Sequence, residues 1–329
     1  MTNYQRYISI RIAAAIAVML PLAAQAADPK DAFPNRTIKM VVGFAAGGSS
    51  DTVGRILAQH MTESMKQSVL IDNKPGAGGN IASEFLIKAP ADGYTIMLGT
   101  IGSLAVNQHL KKLAYNPATD TAPVTMAVIF SNILVVNADS DIKTFNDYLR
   151  QGKVEKSMLS FGSSGVGGSG HLAGELLKSQ AGLSTQHIAY RGGAPAMNDL
   201  LGGSLPSIFT SPTDALQFIQ QGKLRALATT GAKRLDALPN VPTIAELGFP
   251  GFEAINWYAF VAPKGTPPDI VARLNKAIVV ALADPGIAAQ LRKLGLDPYP
   301  STPAEADRFI RAESEKWGAL ARKIDMKAD

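Results

Sequence analysis

One local design recurs three times in this chain and limits what it can become: an apolar strand, a loop rich in glycine and serine, then the start of a helix. The clearest copy runs from Ile38 to Val42, through Gly43, Gly47, Gly48, Ser49 and Ser50, into a predicted helix near Asp51 or Thr52. A second passes from Met158–Phe161 through Gly162, Ser163, Ser164, Gly165, Gly167, Gly168 and Gly170 to a predicted helix near His171. The third runs from Thr95 to Leu98, then Gly99, Thr100, Gly102 and Ser103. Such loops leave backbone N–H groups unpaired at a helix N-terminus, where the macrodipole also favours negative charge. Several in one chain predict a cleft built to hold an anion.

The N-terminus reads as a secretory leader. Arg6 and Arg11 precede an apolar core from Ile12 to Leu22, and Ala24-Gln25-Ala26 is a small-x-small cleavage site, so residues 1–26 are expected to be removed near Ala26. The apolar core is too short for a bilayer that needs about 20 residues, and no adjacent arginine pair marks it for folded export. With no cysteine in the chain, disulfides, thiolate metal sites, a cysteine nucleophile and a lipoprotein anchor are all excluded. These features predict a periplasmic protein without stable membrane insertion. The leader takes two arginines and no acid with it, so the formal charge of +5 falls to +3. The remaining positive residues are scattered, which argues against a nucleic-acid partner.

Strand and helix patterns alternate along the rest of the chain and predict an α/β architecture with mainly parallel sheets flanked by helices. Strands are expected at 68–71, 94–98, 124–130, 133–136, 186–190, 207–210, 224–229 and 255–262, with amphipathic helices at 268–283 and 303–323. The β-rich passages near 124–130 and 252–258 read as paired crossings between two domains. Domain 1 would be discontinuous, holding 27–127 and 252–329, and domain 2 would hold 128–251. A cleft between two such domains is a favoured ligand position.

Catalytic constellations are thin. Gly165-Val166-Gly167-Gly168-Ser169-Gly170 fits the dinucleotide fingerprint G-x-G-x-x-G, yet the following strand ends in Tyr190-Arg191 rather than an acid. Arg191 beside a 2′-phosphate keeps an exported NADP-dependent oxidoreductase as an alternative, although a soluble nucleotide is scarce outside the cytosol. A hydrolase would need a serine activated by His171 or His187. None of the four histidines stands at metal-ligand spacing, and there is no G-x-S-x-G elbow or Walker A sequence. No enzyme activity, cofactor or metal is predicted. Asp51 reads as a first-turn acid turned away from the anion site. Phe44 and Tyr190 each end a strand at a loop and are candidate ligand walls, whereas Trp257 and Tyr258 read as packing residues.

Further signatures are Asn73-Lys74-Pro75-Gly76-Ala77-Gly78-Gly79-Asn80, Asp92-Gly93-Tyr94-Thr95, Tyr190-Arg191-Gly192-Gly193-Ala194-Pro195-Ala196, Gly222-Lys223-Leu224-Arg225-Ala226-Leu227-Ala228 and Val241-Pro242-Thr243-Ile244-Ala245-Glu246. With Phe33-Pro34-Asn35-Arg36, Gly47-Gly48-Ser49-Ser50-Asp51 and Ala262-Pro263-Lys264-Gly265-Thr266-Pro267, their order resembles the substrate-binding proteins of tripartite tricarboxylate transporters, the Bug family, over nearly the whole mature chain. The first loop departs from that pattern, reading Phe44-Ala45-Ala46 where the family commonly has Phe-Pro-Pro.

The resemblance implies a type II-like two-domain binding protein with a β hinge, closing on a small carboxylate held by loop amides, hydroxyls and water. The proximal carboxylate is expected at Phe44, Ala45, Gly48, Ser49 and Ser50 on one side and Ser163, Ser164, Gly168, Ser169 and His171 on the other. The distal end would meet Thr100, Ser103, Tyr190, Arg191 or the Ser211–Asp214 turn, with Arg191 a candidate partner for a second carboxylate. Expected partners are the transporter's membrane subunits or a sensor kinase that reads the loaded protein, which itself is expected to be monomeric. Citrate, a C4–C6 dicarboxylate, an amino acid, nicotinate and an aromatic acid all fit this reading.

Overall fold

A computed structural model describes residues 33–155 and 159–326, in a chain that divides into two compact units, Met1–Asn35 and Arg36–Asp329. The expected leader and Met158, at the head of the second expected strand, lie outside the described residues. Of the first unit only the irregular segment 33–35 is described, and the second carries the fold.

The first half of that unit lays down strand–helix pairs. They are β1 (Ile38–Val42), α1 (Ser49–Met65), β2 (Val69–Asn73), α2 (Asn80–Ile87) and β3 (Thr95–Thr100). In β1 every residue but Lys39 is buried, as expected of a parallel strand covered on both faces. Helix α1 turns Val53, Leu57, Ala58 and Met61 inward at helical spacing, and Gly54 lets it approach the Ile71, Val42 and Met40 side chains. After β3 the chain makes a π-type turn (Gly102–Val106) and two short helices, α3 (Asn107–Leu110) and α4 (Pro117–Asp120), before the long strand β4 (Thr121–Ser131).

A single residue, Asn132, separates β4 from β5 (Ile133–Asn137), yet the two strands belong to different sheets. The second sheet is built from β5, α5 (Phe145–Gly152), β6 (Ser160–Ser163), α6 (Ser169–Ala181), β7 (Gln186–Ala189), α7 (Gly193–Leu201), β8 (Ser207–Thr210), α8 (Pro212–Gln220) and β9 (Leu224–Thr229). The chain then returns to the first sheet through β10 (Ile255–Pro263), α9 (Pro268–Ala283), α10 (Pro285–Lys293), β11 (Asp297–Pro298) and α11 (Pro303–Lys323). The sheet orders are β11-β4-β10-β3-β1-β2 and β7-β6-β8-β5-β9.

The architecture is α/β with helices flanking two sheets, and the sheets are mixed rather than mainly parallel. Parallel ladders join β2, β1 and β3 in one sheet and β7, β6 and β8 in the other. The strands that pass between sheets, β4, β5 and β10, pair antiparallel with their neighbours. Parallel neighbours require a crossover connection, and a strand that comes straight from the other sheet has none. Helix α10 and the two-residue β11 were not legible beforehand. Asp284 starts that helix by accepting hydrogen bonds from the Gly286 and Ile287 N–H groups.

Both crossings are tied by one residue. The fully buried Thr230 accepts a hydrogen bond from the Asn132 N–H and donates its hydroxyl to the Ala254 carbonyl, at 2.9 and 2.7 Å. Its own N–H goes to the Asn132 carbonyl, and the Ala254 N–H returns to the Thr230 carbonyl. The C-terminal helix is fastened to β10 in a similar way. Buried Glu313 accepts from the indole N–H groups of both Trp257 and Trp317, so Trp257 is a packing residue with a satisfied polar edge. Among the described residues no helix is long and apolar enough to cross a membrane.

Candidate functional site

Four helices begin around one cavity between the two sheets. Its walls include Gly48, Ser49 and Ser50 of α1, Gly168, Ser169 and Gly170 of α6, Gly193 of α7, and Ser211 and Asp214 of α8. The cavity volume is about 30 Å³. None of the four helices has a side-chain cap, because glycine occupies three of the cap positions and Ser211 turns its hydroxyl elsewhere. Helices α1 and α6 start at Ser49 and Ser169, two residues earlier than the sequence suggested. The serine N–H groups are thereby first-turn donors, and the positive ends of two dipoles face the cavity from different sheets.

Strand ends complete the walls: Thr100 from β3 with Ile101 after it, Thr210 from β8, Asn256 and Tyr258 from β10, and Asn132 at the crossing. Two of these polar groups have no partner within the protein although they are buried: Thr100 Oγ1 and Asn132 Nδ2. A buried polar group without a partner costs about 1–3 kcal/mol, so two in one cavity mark a place where a polar ligand or water completes the hydrogen bonding.

Of the residues nominated from sequence, the structure brings Phe44, Gly48, Ser49, Ser50, Thr100, Ser164, Gly168, Ser169 and Asp214 to the cavity. Ser103, Ser163 and His171 stand one layer behind. The Ser103 hydroxyl bonds to both the N–H and the carbonyl of Thr100. Ser163 is hydrogen-bonded to His187 Nε2 at 2.7 Å and spans the Gly165 backbone, while His171 Nδ1 accepts the Gly167 N–H. The two imidazoles stack at 4.0 Å, so the pair braces the second loop from below. Burial, with the His171 and Lys178 charges, pushes His187 down to about 3.

Tyr190 turns its hydroxyl to Asp199 at 2.7 Å, and Arg191 is exposed. The contact Arg191 makes across the cleft is through its carbonyl, which accepts the Ala45 N–H at 3.4 Å. A second cross-cleft contact runs from the Ser49 hydroxyl to Thr213 Oγ1 at 3.3 Å. Asn132, Asn256, Thr210 and Tyr258 were missed. A polar Asn132 inside the apolar run 124–136 was the available signal.

The charges fall into two environments. Asp51 is buried but faces away from the cavity, accepting from the Gly47 N–H, the Asn73 amide and, bidentately, Arg55. Burial works to raise its pKa, and those bonds outweigh it and hold the carboxyl below its ordinary value. Asp214 has no cation beside it. Burial pushes it up to about 6, against hydrogen bonds from Ser211, from Thr210 and from the Ser49 N–H. None of the residues lining the cavity is lysine, arginine or histidine.

Two α/β lobes, a tied crossing and a polar interlobe cavity define a solute-binding protein. A family profile described as "Tripartite tricarboxylate transporter family receptor" matches residues 53–326, and the chain belongs to that family. It is 35% identical over 320 residues to Protein BugT of Bordetella pertussis, covering 96% of this chain and 98% of that protein. Among solved structures it is similar to R. palustris Rpa4515 with adipate, at 34% identity and a TM-score of 0.86, over 89% of this chain and 98% of the other. It is also similar to MatC from Rhodopseudomonas palustris with bound malate, at 29% identity and a TM-score of 0.83, over 88% and 99% of the two chains.

Proposed function

We propose that this protein is exported, loses its leader near Ala26, and captures a small carboxylate in the periplasm for delivery to the membrane subunits of a tripartite tricarboxylate-type transporter. One observation carries the reading. Uncapped helix starts from both sheets face a cavity in which Thr100 Oγ1 and Asn132 Nδ2 have no partner. A carboxylate accepting from the Ser50 N–H on one side and Ser169–Gly170 on the other satisfies both sets of donors at once. Binding therefore favours the closed arrangement about the Asn132–Thr230–Ala254 crossing, because opening would lose half of these charge-assisted bonds. Two of the solved relatives are named with a bound carboxylate, adipate in one and malate in the other.

The test is thermal unfolding of the chain from Ala27 onward, refolded free of ligand, against carboxylates including adipate and malate, with NADP in the panel. A bound carboxylate at about 100 times its Kd should add about 2.7 kcal/mol and raise Tm by several degrees. Thr100→Val should keep the unliganded Tm and weaken that carboxylate about tenfold or more, as loss of one bond to a charged group. A panel in which no carboxylate shifts Tm, or NADP alone does, overturns the proposal.

A further inference from the structure

Asp214 is an unusual wall for an anion site. It sits in the first turn of α8, lines the cavity, and lies so close to Gly193 that a Cβ there would collide with its carboxylate. Its bonding partners are neutral: the Ser211 hydroxyl, the Thr210 hydroxyl at 3.3 Å and the Ser49 N–H. An ionised carboxylate offers about four acceptor positions, so one remains for the cavity side. The cavity thus carries two kinds of electrostatics: helix starts that favour an anion, and one half-buried carboxylate that favours a cation. A plain dicarboxylate suits only the first, since its second carboxylate finds no basic side chain on these walls and meets Asp214 as a like charge.

We infer that the ligand is an aminocarboxylate, with its carboxylate on the Ser50 and Ser169–Gly170 amides and its ammonium group donating to Asp214. The inference rests on reading this cavity as a carboxylate site. It makes Asp214 the residue that selects among carboxylates. An ammonium group supplies the missing countercharge and holds Asp214 ionised. A ligand of the same skeleton without the amine leaves the Asp214 carboxylate without a countercharge, and such a loss discriminates more strongly than a difference in apolar contact.

The experiment is calorimetric titration of the refolded, ligand-free protein with the L-amino acids, each paired with the acid that lacks its amine. In the wild type at least one amino acid should bind about 30-fold or more tighter than its deaminated partner. Asp214→Asn should erase that preference while retaining the fold, with Asp214→Ser as the second variant if the first is not recovered folded. If a deaminated acid binds as tightly as its amino acid, or if Asp214→Asn leaves the preference intact, the inference falls and the carboxylate site stands. If neither class binds, the inference falls, and the carboxylate reading falls with it only when no carboxylate of the thermal panel shifts Tm either.

Discussion

Replacing Asp214 by asparagine should make the ligand-free protein more stable, and only above a definable pH. The native carboxyl holds its proton up to about pH 6, whereas the unfolded chain releases it near the ordinary value of 3.8. Between those values the native state binds more protons, so stability falls as pH rises, and the full penalty is present above about pH 6. A displacement from 3.8 to about 6 corresponds to about 3 kcal/mol. Asparagine carries no charge and its side-chain oxygen can still accept from Thr210 and the Ser49 N–H. At pH 7.5 Asp214→Asn should therefore exceed the wild type by about 3 kcal/mol, a Tm rise of about 5 °C. Below about pH 4 the two should coincide.

His187 adds a slope of the opposite sign. It stays neutral in the native state down to about 3, while the unfolded chain takes up its proton near 6.5. Stability is lost across that window as pH falls, at up to about 1.4 kcal/mol per pH unit. In the wild type the Asp214 and His187 slopes oppose each other between about pH 4 and 6, which flattens the profile there. In Asp214→Asn the histidine slope is no longer opposed by Asp214. Urea denaturation from pH 4 to 8, on protein refolded free of ligand, measures both curves. A difference between variant and wild type that does not change with pH, or a less stable variant at pH 7.5, would refute the reasoning.

The remaining perturbations separate the crossing from the rim. Thr230→Val keeps the shape but strands the Asn132 N–H and the Ala254 carbonyl, and should cost about 2–4 kcal/mol in chemical denaturation. Arg191→Ala should leave affinity for the bound carboxylate within about threefold by titration, because its exposed guanidinium does not line the cavity and only its carbonyl meets Ala45.

The recurring strand–loop–helix design was legible because it is local. Glycine at the cap and serine in the first turn sit within a few residues of each other, and their consequence, free N–H groups at a helix start, needs no tertiary information. Direction was not legible in the same way. Ser103, Ser163 and His171 belong to the right loops, yet each turns back to hold its own backbone, a choice made by Thr100, Gly165 and Gly167 at close range. The walls from Asn132, Thr210, Asn256 and Tyr258 come from strand ends in both sheets, which meet only because the crossing brings them together.

Asp214 shows the limit most clearly. The sequence places the Ser211–Asp214 turn at the distal end of the ligand and Asp51 in a structural role, without showing what either carboxylate faces. Both stand in the first turn of a helix, Asp51 buried and Asp214 half-buried. Arg55, Asn73 and the Gly47 N–H turn one into a structural anchor. The other, facing Gly193 and the start of α1 with no cation, is left for the ligand to complete. The Ser211–Asp214 turn is a candidate from sequence, but what the fold sets against each carboxylate appears only when the two sheets are in place.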